Sequence, residues 1–291
     1  MPSSSPAAPA RVRPFQQVDV FTAEAGLGNP LAVVVDGDGL SNAQMQRFAG
    51  WTNLSETTFL LPPTTPEADY RVRIFTPGGE LPFAGHPTLG SCHAWRAAGG
   101  TPRRPVMVVQ ECGAGLVRIR QTGDRPAFAA PPLRRRDPAP SVLAQVARAL
   151  GLKPHEIRGA QLLDNGPVWL ALQLDSAHTV LALAPDHARL KQLDVRVGVV
   201  HIDPQPAPGA PALRVHAFAA PIGVPEDPVT GSLNASLAQW LIAEGAVPRT
   251  YVASQGECLG RAGRIFVEQD DDGTTWVGGD VAPCIQGTVL L

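Results

Sequence analysis

Three short stretches of the chain carry side chains able to move protons. Residues 85–90 read GHPTLG and residues 226–231 read EDPVTG, and both run on into Ser and an Ala-rich amphipathic segment. His86 leads the first and Asp227 the second. With these two placed in register, 141 positions apart, Pro87 falls on Pro228, Gly90 on Gly231, Ser91 on Ser232, Ala94 on Ala235 and Ala97 on Ala238. The third stretch, NLSETTFLL at 53–61, sets Glu56 just ahead of a strongly apolar run. Glu56 reads either as an exposed residue at a strand start or as a partly buried carboxyl. In the second case desolvation raises its pKa and suits it to accept a proton from carbon.

The repeated turn needs a helix behind it. A proline just after His86 and just after Asp227 suits the first helical position, where its missing N–H has no partner to lose. Alternatively the helices begin at Gly90-Ser91 and Gly231-Ser232, with a tight turn ahead of each. Both placements leave backbone N–H groups and a positive helix end beside the His or Asp. Such an end binds an anion such as a carboxylate. Either turn alone is an ordinary capped helix. Repeated, with a titratable side chain at the same place, the pair implies two helix ends facing one small anionic metabolite.

The surrounding pattern is strand-rich. Strands are expected at Gln17–Phe21, Leu31–Val35, Thr58–Leu61, Arg71–Phe75, Val106–Gln110 and Leu116–Arg120, then at Trp169–Leu174, Val197–His201, Leu213–Phe218, Tyr251–Ala253, Arg264–Val267 and Thr275–Val277. One helix follows Leu40, where Ser41 and Gln44 make a capping box, and another is capped by Ser141. The repeat predicts an α+β protein of two similar halves related by a pseudo-twofold, each with many strands around one central helix, with a cleft between them. The halves are expected over residues 12–125 (plus about 283–291) and 126–282, joined by a Pro/Arg-rich crossover at 125–140. Residues 1–11 are expected to form a disordered tail, and Arg134–Arg136 a solvated loop.

Composition narrows the function. The chain has 291 residues, 44% hydrophobic and 17% charged, with a net charge of −2. There is no overall basic field for nucleic acid or anionic membrane. No apolar run reaches the ~20 residues that span a bilayer, and the first residues lack a secretory signal pattern. The four cysteines, Cys92, Cys112, Cys258 and Cys284, have no metal-ligand spacing. No metal is expected, and a reduced, cytoplasmic setting is.

Five blocks in order, VDVFTAEAGLGNPLAVVVD, NLSETTFLL, FTPGGELPFAGHPTLGS, GVPEDPVTGS and SQGECLGRAGRI, resemble the PhzF-like proteins, named for the phenazine-biosynthesis isomerase. The resemblance spans roughly Val18 to Leu291. It implies the diaminopimelate epimerase fold, each half a curled, mostly antiparallel sheet around a central helix, with the active site between the halves, no cofactor, and a homodimer. It places the catalytic residues at Glu56, His86 and Asp227, and the substrate-binding residues at Ser55, Gly85, Gly231 and Ser232. Epimerases and racemases of this fold use two opposed cysteines; the resemblance sets His86 and Asp227 in their place, which argues against a two-thiol mechanism.

The expected function is a cofactor-independent isomerase of a small, cyclic carboxylate, in which Glu56 moves a proton between carbons. The alternatives are a two-base epimerase without thiols and a non-catalytic carboxylate-binding protein on the same fold.

Overall fold

Alternating apolar and polar residues, broken by Gly, Pro and Asp, make strands the dominant element. The computed structural model describes residues 10–122 and 125–291. Its first run of elements is β1 (Val12–Val20), β2 (Asn29–Val34), α1 (Asn42–Thr52), β3 (Glu56–Leu61), β4 (Tyr70–Thr76), β5 (Gly79–Leu81), α2 (Gly85–Ala97), β6 (Met107–Cys112), β7 (Gly115–Thr122) and β8 (Arg125–Ala129). The second is β9 (Arg134–Arg136), α3 (Pro140–Ala149), β10 (Ile157–Asp164), β11 (Val168–Leu174), α4 (Ala177–Leu181), α5 (His187–Gln192), β12 (Val197–Ile202), β13 (Leu213–Ala219), β14 (Val224–Asp227), α6 (Gly231–Ala243), β15 (Thr250–Gln255), β16 (Gly263–Gln269) and β17 (Thr275–Gly278). A last strand, β18 (Val281–Leu290), follows.

The two runs build the same sheet twice. Strand order is β18-β1-β2-β3-β4-β6-β7-β8 in one half and β9-β10-β11-β12-β13-β15-β16-β17 in the other. In each, the third and fourth strands pair in parallel, as do the fifth and sixth, and every other pair is antiparallel. β5 hooks onto β4 as β14 hooks onto β13. This is the α+β pseudo-twofold architecture that the repeat implied. The sheets meet where β8 pairs with β17, Phe128 opposite Val277, and the outermost strand of each half comes from beyond the end of the other.

Each sheet wraps one helix. Nine of the thirteen residues of α2 are buried, and ten of the thirteen of α6. Helices so buried on all sides belong in a core. One cluster, with Leu31, Leu89 and Phe128 from one half and Leu233, Leu237 and Val277 from the other, runs through both. The exposed helix α1 begins as expected: the Ser41 hydroxyl accepts from the Gln44 N–H and the Gln44 side chain reaches back to the Ser41 N–H, a cap worth about 1 kcal/mol. No helix among the described residues is long and apolar enough to cross a membrane.

Several expectations are corrected. α3 is not capped by Ser141; it starts at Pro140 behind Ala139, with no side-chain cap, because proline needs no N–H partner in the first turn. Arg134–Arg136 is no loop but strand β9, whose exposed residues pair with β10. Arg11, placed in the tail, is tied down through backbone bonds to Leu291 in both directions; residues 1–9 of that tail lie outside the described residues. β5, β8, β10, β14 and β18 were not foreseen.

The register of the repeat also changes. α2 opens at Gly85, so His86 and Pro87 are its second and third residues, ahead of both starts considered. α6 opens at Gly231, as the second alternative had it. Gly85 and Gly231, 146 positions apart, are thus the equivalent pair. The fourth residue of each helix agrees: Gln110 on β6 donates to Thr88, and Asn234 donates to Gln255 on β15. His86 therefore corresponds to Ser232, while Asp227 ends the short strand ahead of α6.

Candidate active site

The two central helices meet end to end. A Cβ built on Gly85 would lie 2.7 Å from the Cα of Gly231, and one on Gly231 would lie 2.8 Å from the Cα of Gly85. No other residue allows backbones so close. The first-turn N–H groups of both helices, which lack acceptors within their own helix, therefore collect at one place. Two positive helix ends in contact favour an anion beside them.

Beside this junction is a cavity of about 280 Å³, walled by Ser55 and Glu56, by Leu81, Pro82, Phe83 and Ala84 leading into α2, and from the other half by Asn165, Trp169, Arg196, Ile222, Asp227, Thr230 and Ser232 among others. The structure brings Ser55, Glu56, Asp227 and Ser232 together around this cavity. His86 lies behind it, its Nε2 3.4 Å from Glu56 Oε2. Gly85 and Gly231 do not line the cavity; they make the helix contact that forms it.

Glu56 comes from the first residue of β3, which pairs in parallel with β2 at Leu31. Burial first, and then the nearby charge of Asp227, push its carboxyl up to about 8. Its Oε2 is buried without a hydrogen-bond partner, as is His86 Nε2. Burial pushes His86 down to about 3. Near neutral pH both groups are uncharged, so their 3.4 Å approach is a contact between neutral groups, not an ion pair.

Asp227 has the opposite surroundings. Asn29, fully buried at the start of β2, donates to its Oδ1 at 2.8 Å, and the Thr230 hydroxyl donates to Oδ2 at 2.6 Å. Gln255 ties Thr230 to Asp227, donating to the Thr230 hydroxyl and to the Asp227 carbonyl and accepting from the Thr230 N–H. Burial pushes Asp227 up to about 6, and the bonds from Thr230 and Asn29 limit the rise. Two facing carboxyls whose environments drive their proton affinities apart make one acid and one base. Asn29, Thr230 and Gln255 were missed by the sequence reading, as were Asn165, Trp169 and Arg196. Only Asn29, Thr230 and Gln255, which lie inside the quoted blocks, offered any signal.

The cysteines are elsewhere. Cys92 and Cys112 are buried, Cys258 and Cys284 exposed, and all four are free. Burial pushes Cys92 up to about 12. The residues ahead of the two helix-opening glycines are Ala84 and Thr230. A thiolate–thiol pair facing one carbon cannot be assembled here. Among the described residues no three His, Cys, Asp or Glu side chains are grouped to hold a metal.

The raised Glu56 carboxyl has a consequence for stability. Between its ordinary value near 4.5 and its folded value of about 8, the folded protein keeps a proton that the unfolded chain releases. Stability is therefore lost as pH rises through that window, by up to about 1.4 kcal/mol per unit. Glu56→Gln removes the penalty. Its melting temperature should match the unaltered protein's near pH 4.5 and exceed it increasingly up to pH 8; a difference that does not change with pH would refute the burial assignment.

The fold and site together define an isomerase of the two-half, epimerase-like class. Residues 18–287 match the model of the phenazine biosynthesis-like protein family, and the chain belongs to that family. It is similar to antisense-enhancing sequence 1 of Schizosaccharomyces pombe, 36% identical over 95% of this chain and 98% of that protein. It is also similar to the trans-2,3-dihydro-3-hydroxyanthranilate isomerase of Pseudomonas aeruginosa, 35% identical over 94% and 98%. Among solved structures, a PhzF-family protein of Bacillus anthracis superposes with a TM-score of 0.83 at 22% identity, covering 97% of this chain and 100% of that one. A hydroxyproline epimerase from Agrobacterium vitis shares the fold, with a TM-score of 0.63 at 15% identity over 97% and 93%.

Proposed function

We propose that this protein isomerises a small cyclic carboxylate by moving a proton between carbons, with no cofactor. The observation that carries this reading is the Glu56 carboxyl: buried, with one oxygen unpartnered, raised to about 8, and set on the cavity wall with Asp227 as its charged neighbour. Proton transfer between carbons needs only such a group and a positioned substrate.

In this reading Glu56 takes a proton from an activated carbon and returns it at another. A carboxylate held near pKa 8 is a stronger base toward carbon than an exposed one. His86 positions Glu56 from behind the wall. Asp227, fixed by Asn29 and Thr230, stays ionised and holds a donor group of the substrate. The helix ends at Gly85 and Gly231-Ser232 receive the substrate carboxylate, and Phe83, Pro82 and Trp169 pack against its ring. The relationship to the Pseudomonas aeruginosa isomerase makes a dihydroanthranilate-like ring the first compound to try.

The test is NMR in D₂O with trans-2,3-dihydro-3-hydroxyanthranilate and other cyclic carboxylates, chosen by the rise in melting temperature they cause. The proposal requires deuterium at a new carbon together with a shifted double bond. The pairing of Glu56 with Asp227 also suits a two-base epimerase, which would instead put deuterium at one carbon with inverted configuration. Ligands that stabilise the protein without any exchange would point to a binding protein.

A further inference from the structure

The cleft does not end at its reactive wall. A second cavity, of about 460 Å³, shares Gly166, Arg196 and Ile222 with the first. The strand between them explains the arrangement. On β11, Trp169 faces the first cavity while Val168 and Leu170 face the second, as alternate residues of a strand must. Arg196 lies just ahead of β12, held by the backbone bond from the Leu170 N–H to its carbonyl. That places it at the common rim.

The Arg196 side chain is half-buried, and among the described residues it has neither a carboxylate within ion-pair distance nor a hydrogen-bond acceptor. Other half-buried arginines, Arg71 apart, are spent on partners: Arg120 on Glu268 and Asp270, Arg125 on Asp280, Arg214 on Glu257. Nor is Arg196 bonded to the acids of the reactive wall: Glu56 approaches His86, and Asp227 is held by Asn29 and Thr230. Beyond Arg196 the second cavity carries Arg136, with Asp194 as the one acid among its described lining residues.

We propose that Arg196 is a specificity residue that binds a second anionic group of the substrate, on an arm leaving the reactive cleft toward the second cavity. The substrate class is then a cyclic carboxylate with a further carboxylate or phosphate. A guanidinium presents a planar fork of donors that matches either oxyanion two bonds at a time. Bound away from the reaction, such an arm anchors the ring without touching the chemistry.

This inference rests on the reading of the first cavity as a carboxylate site, but its test needs no turnover. Isophthalate, homophthalate and 3-(carboxymethyl)benzoate, each paired with the monoamide that removes its second charge, are titrated calorimetrically against the unaltered protein, Arg196→Gln and Arg196→Lys. At least one diacid should bind about tenfold or more tighter than its monoamide. Arg196→Gln should abolish that preference and leave benzoate binding unchanged, and Arg196→Lys should keep part of it. The inference is overturned if the unaltered protein prefers no diacid, or if Arg196→Gln keeps the preference. Deuterium exchange lost in Glu56→Gln but intact in Arg196→Gln would leave the proton-transfer reading standing on its own.

Discussion

Glu56→Gln lowers turnover by about 10²–10⁴-fold, the range in which a positioned general base contributes, and leaves the fold in place. Glutamine keeps the shape of the side chain at the start of β3 and removes only the ability to hold and release a proton. The loss should appear in kcat and in kcat/KM alike, because the proton is on the move only in the transition state. In the unaltered protein kcat/KM should rise with pH, reach half its limit near pH 8 and level off above that, as the Glu56 carboxyl ionises. Rate measurements from about pH 5.5 to 9 check both statements. Retention of more than a tenth of the turnover, or a rate that falls steadily with pH, would remove Glu56 from the role of base. Asp227 titrates lower and is coupled to Glu56, so the low-pH limb belongs to the pair, not to either carboxyl alone.

The second large effect is expected at a residue with no chemistry of its own. Gly85→Ala puts a methyl group 2.7 Å from the Cα of Gly231 and 3.1 Å from the Phe128 ring. Neither helix end can yield without moving its half. Overpacking of this kind costs about 1–3 kcal/mol, a drop of several degrees in melting temperature for a chain of this size. The two walls of the cleft part by the same movement. Glu56 and Asp227 stand on opposite sides of it, and a misplacement of about 1 Å can cost 10²-fold in rate. Gly50 supplies the control: it is exposed in α1, and a Cβ there meets nothing within 4 Å. Gly50→Ala should raise stability by roughly 0.5–1 kcal/mol and leave the rate alone. Calorimetry and turnover on the two variants decide the matter; a Gly85→Ala protein as stable and active as Gly50→Ala would mean that the helix contact does not hold the cleft.

Motif and local pattern make Glu56, His86 and Asp227 visible in the sequence, because turns and caps are written in neighbouring residues. The register between the repeats is not visible there. GHPTLGS and EDPVTGS look alike because both contain the Gly, Pro and Ser of a chain turning into a helix. Which glycine opens each helix is decided by the contact between Gly85 and Gly231, made across 146 positions. Asn29, Gln255 and Arg196 escaped for the same reason: a buried amide that holds a carboxylate, or an arginine without a partner, is known only by what surrounds it. β18 escaped because Pro283, Gly287 and a mostly exposed face give it no alternation, and only its pairing with β1 makes it a strand.

That pairing bears on how the chain is made. The strand that closes the first sheet lies about 150 residues after β8, and at translation speeds of about 5–20 residues per second it emerges roughly ten to thirty seconds later. Through that interval the nascent first half carries a nine-residue strand open along one edge, the kind of surface that invites pairing with a neighbouring chain. Arg13 and Asp19, both buried in the finished fold, sit on that waiting strand as charges unwelcome in a stacked sheet. Slow release of residues 281–290 from the ribosome should therefore raise aggregation of this protein out of proportion to its final stability.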